Sequence, residues 1–386
     1  MAISEKSMID GELLAIKEIN AEGGLLGGRL IESVEADGES DWPTYAREAR
    51  RLIDQAKVSV VFGCWTSASR KSVKPIFEER KHLLIYPMAY EGLEQSPNII
   101  YTGAAPNQQV IPTVNWCREV LKAKRFFLIG SDYVWPRCVN EIIKDQLKAL
   151  GAECVDEEYI LFGSTRLDSQ IAEIKRAAPD VIISTVVGDT NKAFYHRLRQ
   201  ENLGPNRIPV VSFSIAEDEL RQLPVHDMVG DYSAWDYFQS IDREENHDFI
   251  RRFKAEFGED RVTSDVIVAA YNSVKLWAQA VEEAGTDETD EVRKAMRRQS
   301  LDAAEGIISV DYETQHTWRP VYIGRVRGDG QFDLVWSTIT PVRPMPFPFS
   351  RTRAEWENYL EGLYQGWGGS WARPPAVGES ADASSP

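Results

Sequence analysis

An α/β fold built on mostly parallel sheets is predicted by three features of the chain. Short β-branched or aromatic runs alternate with longer stretches of helical periodicity, most of the short runs are apolar throughout, and the alternation persists over most of the 386 residues. A run that is apolar at every position is a strand buried on both faces, which is what a parallel sheet covered by helices requires. Repeated β-then-α order implies right-handed crossovers.

The elements follow in chain order. Ile9, Leu13 and Ile16 form one stripe of a first amphipathic helix. Strands are predicted at 58–62, 82–86, 98–101 and 125–129, each rich in Val, Ile, Phe, Tyr or Leu. Ile143, Leu147 and Leu150 mark one later helix and Leu167, Ile171 and Ile174 another, with strands at 181–185 and 210–213 beyond them. After Glu217 the order changes to helices near 244–257, 265–284 and 290–298, the second carrying the stripe Val266, Ala270, Val274, Trp277 and Val281. Late strands at 321–326 and 332–336 flank Arg327-Gly328-Asp329-Gly330, where Asp-Gly supplies the positive φ of a tight hairpin turn. Pro341, Pro344, Pro346 and Pro348 lead to Trp356, Tyr359, Tyr364, Trp367 and Trp371, an aromatic stretch too rich for a free tail and expected to dock. Residues 376–386 are small and polar and are expected to be disordered.

Composition narrows the function. The chain carries 44 basic and 60 acidic side chains, a net charge of −16, which argues against a sequence-independent nucleic-acid binder with a basic face for phosphates. No apolar run approaches the ~18–20 residues that span a bilayer. Cys64, Cys117, Cys138 and Cys154 form no CxxC and no zinc spacing, so free thiols are expected. Dinucleotide, P-loop, nucleophile-elbow, zinc-protease and EF-hand signatures are missing, and His82, His196, His226, His247 and His316 are scattered. No catalytic residue, metal ligand or cofactor is therefore assigned.

Ligands of open α/β sheets bind beyond the carboxyl ends of strands. The runs there are Gly63-Cys64-Trp65-Thr66-Ser67-Ala68-Ser69-Arg70, Tyr86-Pro87-Met88-Ala89-Tyr90-Glu91-Gly92 and Gly130-Ser131-Asp132-Tyr133-Val134-Trp135-Pro136. Val187-Gly188-Asp189-Thr190, Ser214-Ile215-Ala216-Glu217 and Gly230-Asp231-Tyr232-Ser233-Ala234-Trp235-Asp236-Tyr237 follow the later strands. Small residues let backbone N–H groups approach a ligand, and Trp65, Tyr86, Tyr90, Tyr133 and Trp235 supply flat walls with polar tips.

The first three runs, with Tyr101-Thr102-Gly103-Ala104-Ala105-Pro106-Asn107-Gln108-Gln109, closely resemble the urea-binding proteins of urea ABC transporters and, more distantly, the amide sensors of bacterial amidase operons. Ile16 to Gly28 is similar to the helix and turn common to the leucine-binding-protein superfamily, and the likeness runs from about Ala2 to Pro344. The resemblance implies a two-lobed type I periplasmic-binding-protein fold with three crossover segments near 122, 237 and 318, closing on ligand between the lobes. Lobe I is then 1–122 and 238–318, lobe II is 123–237 and 319–345, and 346–386 is the tail. It also implies that family members begin with a strand ahead of Met1-Ala2-Ile3-Ser4-Glu5, so that this strand and any export signal lie upstream of the chain as written.

The ligand-binding residues expected are Trp65, Thr66, Ser67, Tyr86, Pro87, Met88, Tyr90, Tyr133, Gly188, Asp189, Ser214, Trp235 and Asp236. Urea needs donors for its carbonyl and acceptors for its NH2 groups; Ser67 and backbone N–H groups are the expected donors, Asp236 and tyrosine oxygens the acceptors. The implied function is a non-catalytic receptor for urea or a short aliphatic amide that delivers it to the membrane permease of an ABC transporter. The alternatives are an amide sensor acting on a signalling partner and, from another class, an amide hydrolase, disfavoured because no nucleophile sits beside a base. The family implies a periplasmic protein; a chain truly starting at Met1, which lacks a secretory signal, is expected in the cytoplasm.

Overall fold

The structure, a computed structural model, describes residues 2–374. Contacts divide the chain into two units, Met1–Gln108 with Ile241–Pro320 and Thr338–Pro346, and Gln109–Ser240 with Val321–Ser337 and Phe347–Pro386. The expectation for 376–386 lies outside the described residues.

The first unit opens with α1 (Ala2–Ala21), α2 (Trp42–Arg50), β1 (Val61–Phe62), α3 (Ser67–Arg80), β2 (Leu84–Tyr86) and β3 (Ile99–Tyr101). The second contributes α4 (Val110–Glu119), β4 (Arg125–Ser131), α5 (Val134–Ala149), β5 (Glu153–Ile160), α6 (Asp168–Ala177), β6 (Val181–Thr185), α7 (Thr190–Gln200), β7 (Val210–Ser212), α8 (Glu217–Leu220) and β8 (Tyr232–Trp235). The chain returns to the first unit with α9 (Glu244–Phe257), α10 (Asp265–Ala284), α11 (Thr289–Met296), β9 (Ser300–Ala303), β10 (Gly306–Val310) and β11 (Thr317–Trp318). It finishes in the second with β12 (Tyr322–Val326), β13 (Phe332–Ser337) and α12 (Arg353–Gly366).

In the first unit β1, β2 and β3 form a parallel sheet, and β11, β10 and β9 a small antiparallel one. Leu84, Ile85, Ile99 and Ile100 are wholly buried, as the continuous apolar runs require. Helix α10 is apolar on most of its circumference and forms the unit's spine, with α1 packed along it. Gly11 permits that contact, because a Cβ there would lie 2.4 Å from the Ile267 carbonyl oxygen. In the second unit seven strands run in the order β13-β12-β8-β7-β6-β4-β5. The five from β8 to β5 are parallel, and β12 and β13 are the antiparallel hairpin expected from Asp329-Gly330. The architecture is thus α/β with mostly parallel sheets flanked by helices.

Several elements differ from the sequence reading. The acidic run 153–160 is strand β5, which lies at the sheet edge, where charged side chains are tolerated and discourage further pairing. Residues 232–235, read as a loop, are strand β8. By contact, α4 packs on α5, so the first division falls after Gln108, where 122 was expected. Residues 338–346 return to the first unit, where Val342 and Arg319 exchange backbone hydrogen bonds, and 347–374 go back to the second. Divisions therefore fall after 108, 240, 320, 337 and 346, five where three were expected.

The aromatic tail is part of the second unit. Thr352 caps α12 in a reciprocal box with Glu355, Trp356 is fully buried with its indole N–H donated to Pro348 O at 3.0 Å, and Tyr359 O–H donates to Arg137 O at 3.1 Å. Arg351 bonds Glu141 at 2.7 Å and Asp145 at 2.8 Å on α5. Its aromatic residues were expected to dock, and they do.

Candidate functional site

In the first unit five of the thirteen expected residues lie on loops beyond the carboxyl ends of β1 and β2, Tyr86 ends β2, and Ser67 opens α3. Thr66 is the N-cap of α3, its hydroxyl accepting from Ser69 N at 3.0 Å. Tyr86 O–H donates to Trp65 O at 3.0 Å, tying the two loops together. Gly103 lets residues 102–105 run against Met88, whose carbonyl carbon would sit 2.0 Å from a Cβ there. Pro87, Met88 and Tyr90 are buried and Trp65 half-buried.

Beneath these loops lies a buried ionic cluster that the sequence reading missed. Arg70, with no exposed side-chain surface, donates from Nε to Glu94 Oε1 and from Nη2 to Glu91 Oε1, both at 2.9 Å. Its guanidinium lies 4.7 Å from the Tyr86 ring centroid and 4.5 Å from that of Tyr90. Lys71 Nζ reaches Glu94 at 3.0 Å and Glu91 at 3.3 Å, so two cations balance two carboxylates. Burial pushes the Glu94 carboxyl up, but Arg70 and Lys71 outweigh it and hold that group well below the usual carboxylate range. Ser67 Oγ donates to Glu91 and accepts from Arg70 Nη1 at 3.2 Å. The single hydroxyl proton of Ser67 is thus committed within the protein, and the expected donation to a ligand carbonyl has no proton to use.

Tyr90, Tyr101 and His316 stack beside the cluster, with centroids 5.1 Å apart for the tyrosines and 4.3 Å for Tyr101 and His316. His316 Nδ1 is 2.7 Å from Thr314 O, a group that only accepts, so Nδ1 carries the proton and Nε2 accepts from Tyr90 O–H. Burial pushes the imidazole down to about 4, which keeps it neutral. Ser67, Tyr86 and Tyr90 therefore shape and brace this site through partners that are all protein groups. Arg70 and Glu91 stood inside the runs Ser67-Ala68-Ser69-Arg70 and Tyr90-Glu91-Gly92, and their signal was charge within small or apolar stretches; His316 gave none.

In the second unit the carboxyl ends of β4, β6, β7 and β8 lie side by side, Gly130 pairing with Thr185, Ser184 with Ser212, and Ser212 with Ser233. This brings Tyr133, Gly188, Asp189, Ser214, Trp235 and Asp236 to one sheet edge. Ser131 Oγ accepts from Val187 N at 3.1 Å, Ser214 Oγ donates to Val186 O at 2.5 Å, and Trp235 Nε1 donates to Ile215 O at 2.8 Å. Asp189 is exposed, Gly188 and Ser214 are half-buried, and Asp236 is fully buried. Tyr133 packs on Phe162 with centroids 4.8 Å apart and is bridged to Ala372 of the tail. Val134 N donates to Trp371 O at 3.0 Å, and Asp132 holds both Arg137 at 2.7 Å and Arg373 at 3.2 Å.

Besides Ser233 Oγ on β8, the same edge holds three buried polar atoms without a hydrogen-bond partner: Trp135 Nε1, Asn191 Oδ1 and Glu217 Oε2. They stand on the first turns of α5, α7 and α8, each of which follows a strand of the parallel sheet. Burial pushes the Glu217 carboxyl far above its ordinary range, and Oε1 accepts from Gln239 N at 2.7 Å. Burial thus favours the protonated form of Glu217, and of its two oxygens Oε2 is the one that accepts no hydrogen bond. Trp135 Nε1 is a donor and Asn191 Oδ1 an acceptor, each on the first turn of its own helix. Glu217 closed the run after β7 in the sequence, where only Ser214 was expected to bind.

The chain belongs to the periplasmic binding protein domain family, which matches residues 1–353. It is 31% identical over 117 residues to a protein named limonene hydroxylase from Geobacillus stearothermophilus, covering 30% of this chain and 21% of that one. It is 24% identical over 180 residues to an amino acid binding protein of Pseudomonas aeruginosa, 45% of this chain and 46% of the relative. The chain thus spans half or less of the length of these curated relatives. Among solved structures, the ABC-transporter solute binding protein of R. palustris in complex with benzoate superposes with a TM-score of 0.80 at 21% identity, covering 89% of this chain and 94% of that one. That likeness establishes the fold. Among the described residues no helix is long and apolar enough to cross a membrane.

Proposed function

We propose that this chain is a non-catalytic receptor for urea or a short aliphatic amide, which it delivers to the permease of an ABC transporter from the periplasm. The observation that carries the reading is the trio at the edge of the second unit. A primary amide presents one strong carbonyl acceptor and N–H donors, and Trp135 Nε1, a protonated Glu217 Oε2 and Asn191 Oδ1 have the matching polarity. Tyr133, Gly188, Asp189, Ser214, Trp235 and Asp236 frame that edge, and Trp65, Thr66, Ser67, Tyr86, Pro87, Met88 and Tyr90 lie at the carboxyl ends of β1 and β2 within the first unit.

Carboxylate ligands such as benzoate or leucine fit less well. They call for an unengaged cation, whereas Arg137 and Arg373 are held by Asp132 and Arg70 and Lys71 by Glu91 and Glu94. Burial also pushes the Cys154 thiol up to about 11, the wrong direction for a hydrolytic nucleophile. Calorimetric titration with urea, acetamide, leucine and benzoate, with ammonia assayed in parallel, tests the proposal. Saturable binding of urea or acetamide without ammonia release is expected; tight binding of leucine or benzoate alone, or steady ammonia release, overturns it.

A further inference from the structure

The tail docked on the second unit runs on past α12 to the turn that carries Tyr133. Tyr133 is the N-cap of α5, in extended conformation, and its side chain makes no capping hydrogen bond. The tail supplies partners for the backbone there. Val134 N donates to Trp371 O at 3.0 Å and Arg373 N to Asp132 O at 3.2 Å, which brackets Tyr133 and Ala372 as an antiparallel pair. In a pair of this kind the two residues exchange no hydrogen bond with each other and their side chains lie close, so a small residue at 372 leaves room for the tyrosine ring. Arg373 Nη1 adds an ion pair with Asp132 Oδ2 at 3.2 Å.

The segment is led to this position and held in it. Gly368 and Gly369, at φ 68° and 82°, end α12, and Gly369 N closes the turn on Tyr364 O at 2.9 Å. The Trp371 ring then lies against Tyr364 with centroids 4.6 Å apart. Tyr133, which also packs on Phe162, is left only 3% exposed. Residues 371–373 lie beyond 353, where the family match ends.

We infer that Trp371, Ala372 and Arg373 form a strap that fixes Tyr133 as a wall of the solute site and so sets the size of amide this edge accepts, an inference that rests on the solute reading above. They are positioning residues: their backbone holds the turn 131–134, and the turn holds the ring. Without the strap, Asp132 N keeps its bond to Ile160 O at 2.8 Å, but Val134 N and Asp132 O lose their partners and the ring is free to yield to a longer alkyl group.

The test compares the full chain with one ending at Gly366, which keeps the anchors Arg351, Trp356 and Tyr359. Calorimetric titration with urea and butyramide reads the preference between them, and hydrogen exchange reads the Val134 amide. Expected in the shortened chain are a preference for urea lowered at least ~tenfold and exchange at Val134 at least ~tenfold faster. Arg373→Pro in the full chain removes the bond to Asp132 O and the ion pair while suiting an extended backbone. It moves both readouts in the same direction and replaces the shortened chain if that chain fails to fold. An unchanged preference, equal weakening toward both amides, tighter urea binding without the strap, or unchanged exchange at Val134 overturns the inference. A full chain that binds neither amide refutes the solute reading and the strap with it, whereas a full chain that binds urea with the same preference as both variants refutes the strap alone.

Discussion

Replacing Arg70 by methionine probes the cluster that braces the first unit's loops. The guanidinium is fully buried between Glu91 and Glu94 and lies over two tyrosine rings. Methionine approximates its stem but removes the charge, leaving two buried carboxylates with Lys71 as their principal counterion. Removing one partner of a buried ion pair costs about 3–5 kcal/mol, and loss of the two ring contacts places the change toward the upper end. The effect has a definite pH signature. Glu94, held below its ordinary 4.5 in the folded state, contributes stability that is fully present above that value and is lost as the pH falls through its folded value. In Arg70→Met that contribution is largely gone, so the gap from wild type is widest near neutrality and narrows below pH 4.5. Guanidinium chloride unfolding followed by circular dichroism measures this; urea is avoided because it is the proposed ligand. A loss under about 1 kcal/mol, or a gap that ignores pH, refutes the reasoning.

Three further outcomes follow from the same structure. His316, neutral and pushed down to about 4 by burial, makes wild-type stability fall as the pH drops from 6.5 toward 4, by up to about 3 kcal/mol. His316→Gln flattens that slope, and an unchanged slope assigns the pH dependence elsewhere. Glu217→Gln keeps a donor where the neutral carboxyl had one and retains urea affinity within a few-fold, whereas Glu217→Ala weakens it by about tenfold or more; equal losses in the two variants remove the protonated carboxyl from the site. Trp356→Ala, which empties a fully buried position, lowers stability by about 3–5 kcal/mol in the same unfolding assay, and a change under about 1 kcal/mol contradicts the docked tail.

What was legible in the sequence was what local pattern encodes. Helices 244–257 and 265–284 were found at their boundaries because an apolar stripe at helical spacing runs their full length. Strands β4 and β6 were found because each holds an unbroken apolar run, Phe126 to Ile129 and Val181 to Ile183. Strand β5 was missed because an edge strand tolerates Glu153, Asp156, Glu157 and Glu158. The small strands β9 and β10 were missed because Ser300, Asp302 and Ser309 interrupt any apolar run.

The candidate site divides in the same way. Its loop residues were legible because strand ends point to them, but their partners were not. Arg70 meets Glu91 and Glu94 across 21 and 24 residues, and Tyr90 meets His316 across 226. Such pairings are set by the packing of distant segments and leave no periodicity behind. For the same reason the sequence reading gave Ser67 a free proton, when Glu91 had already taken it.

The most direct test of the solute reading is equilibrium dialysis of radiolabelled urea against the wild-type chain and Glu217→Ala side by side. Saturable retention at one site per chain, weakened by the substitution, is the result the structure predicts. No retention by the wild type, or equal retention by both proteins, contradicts it.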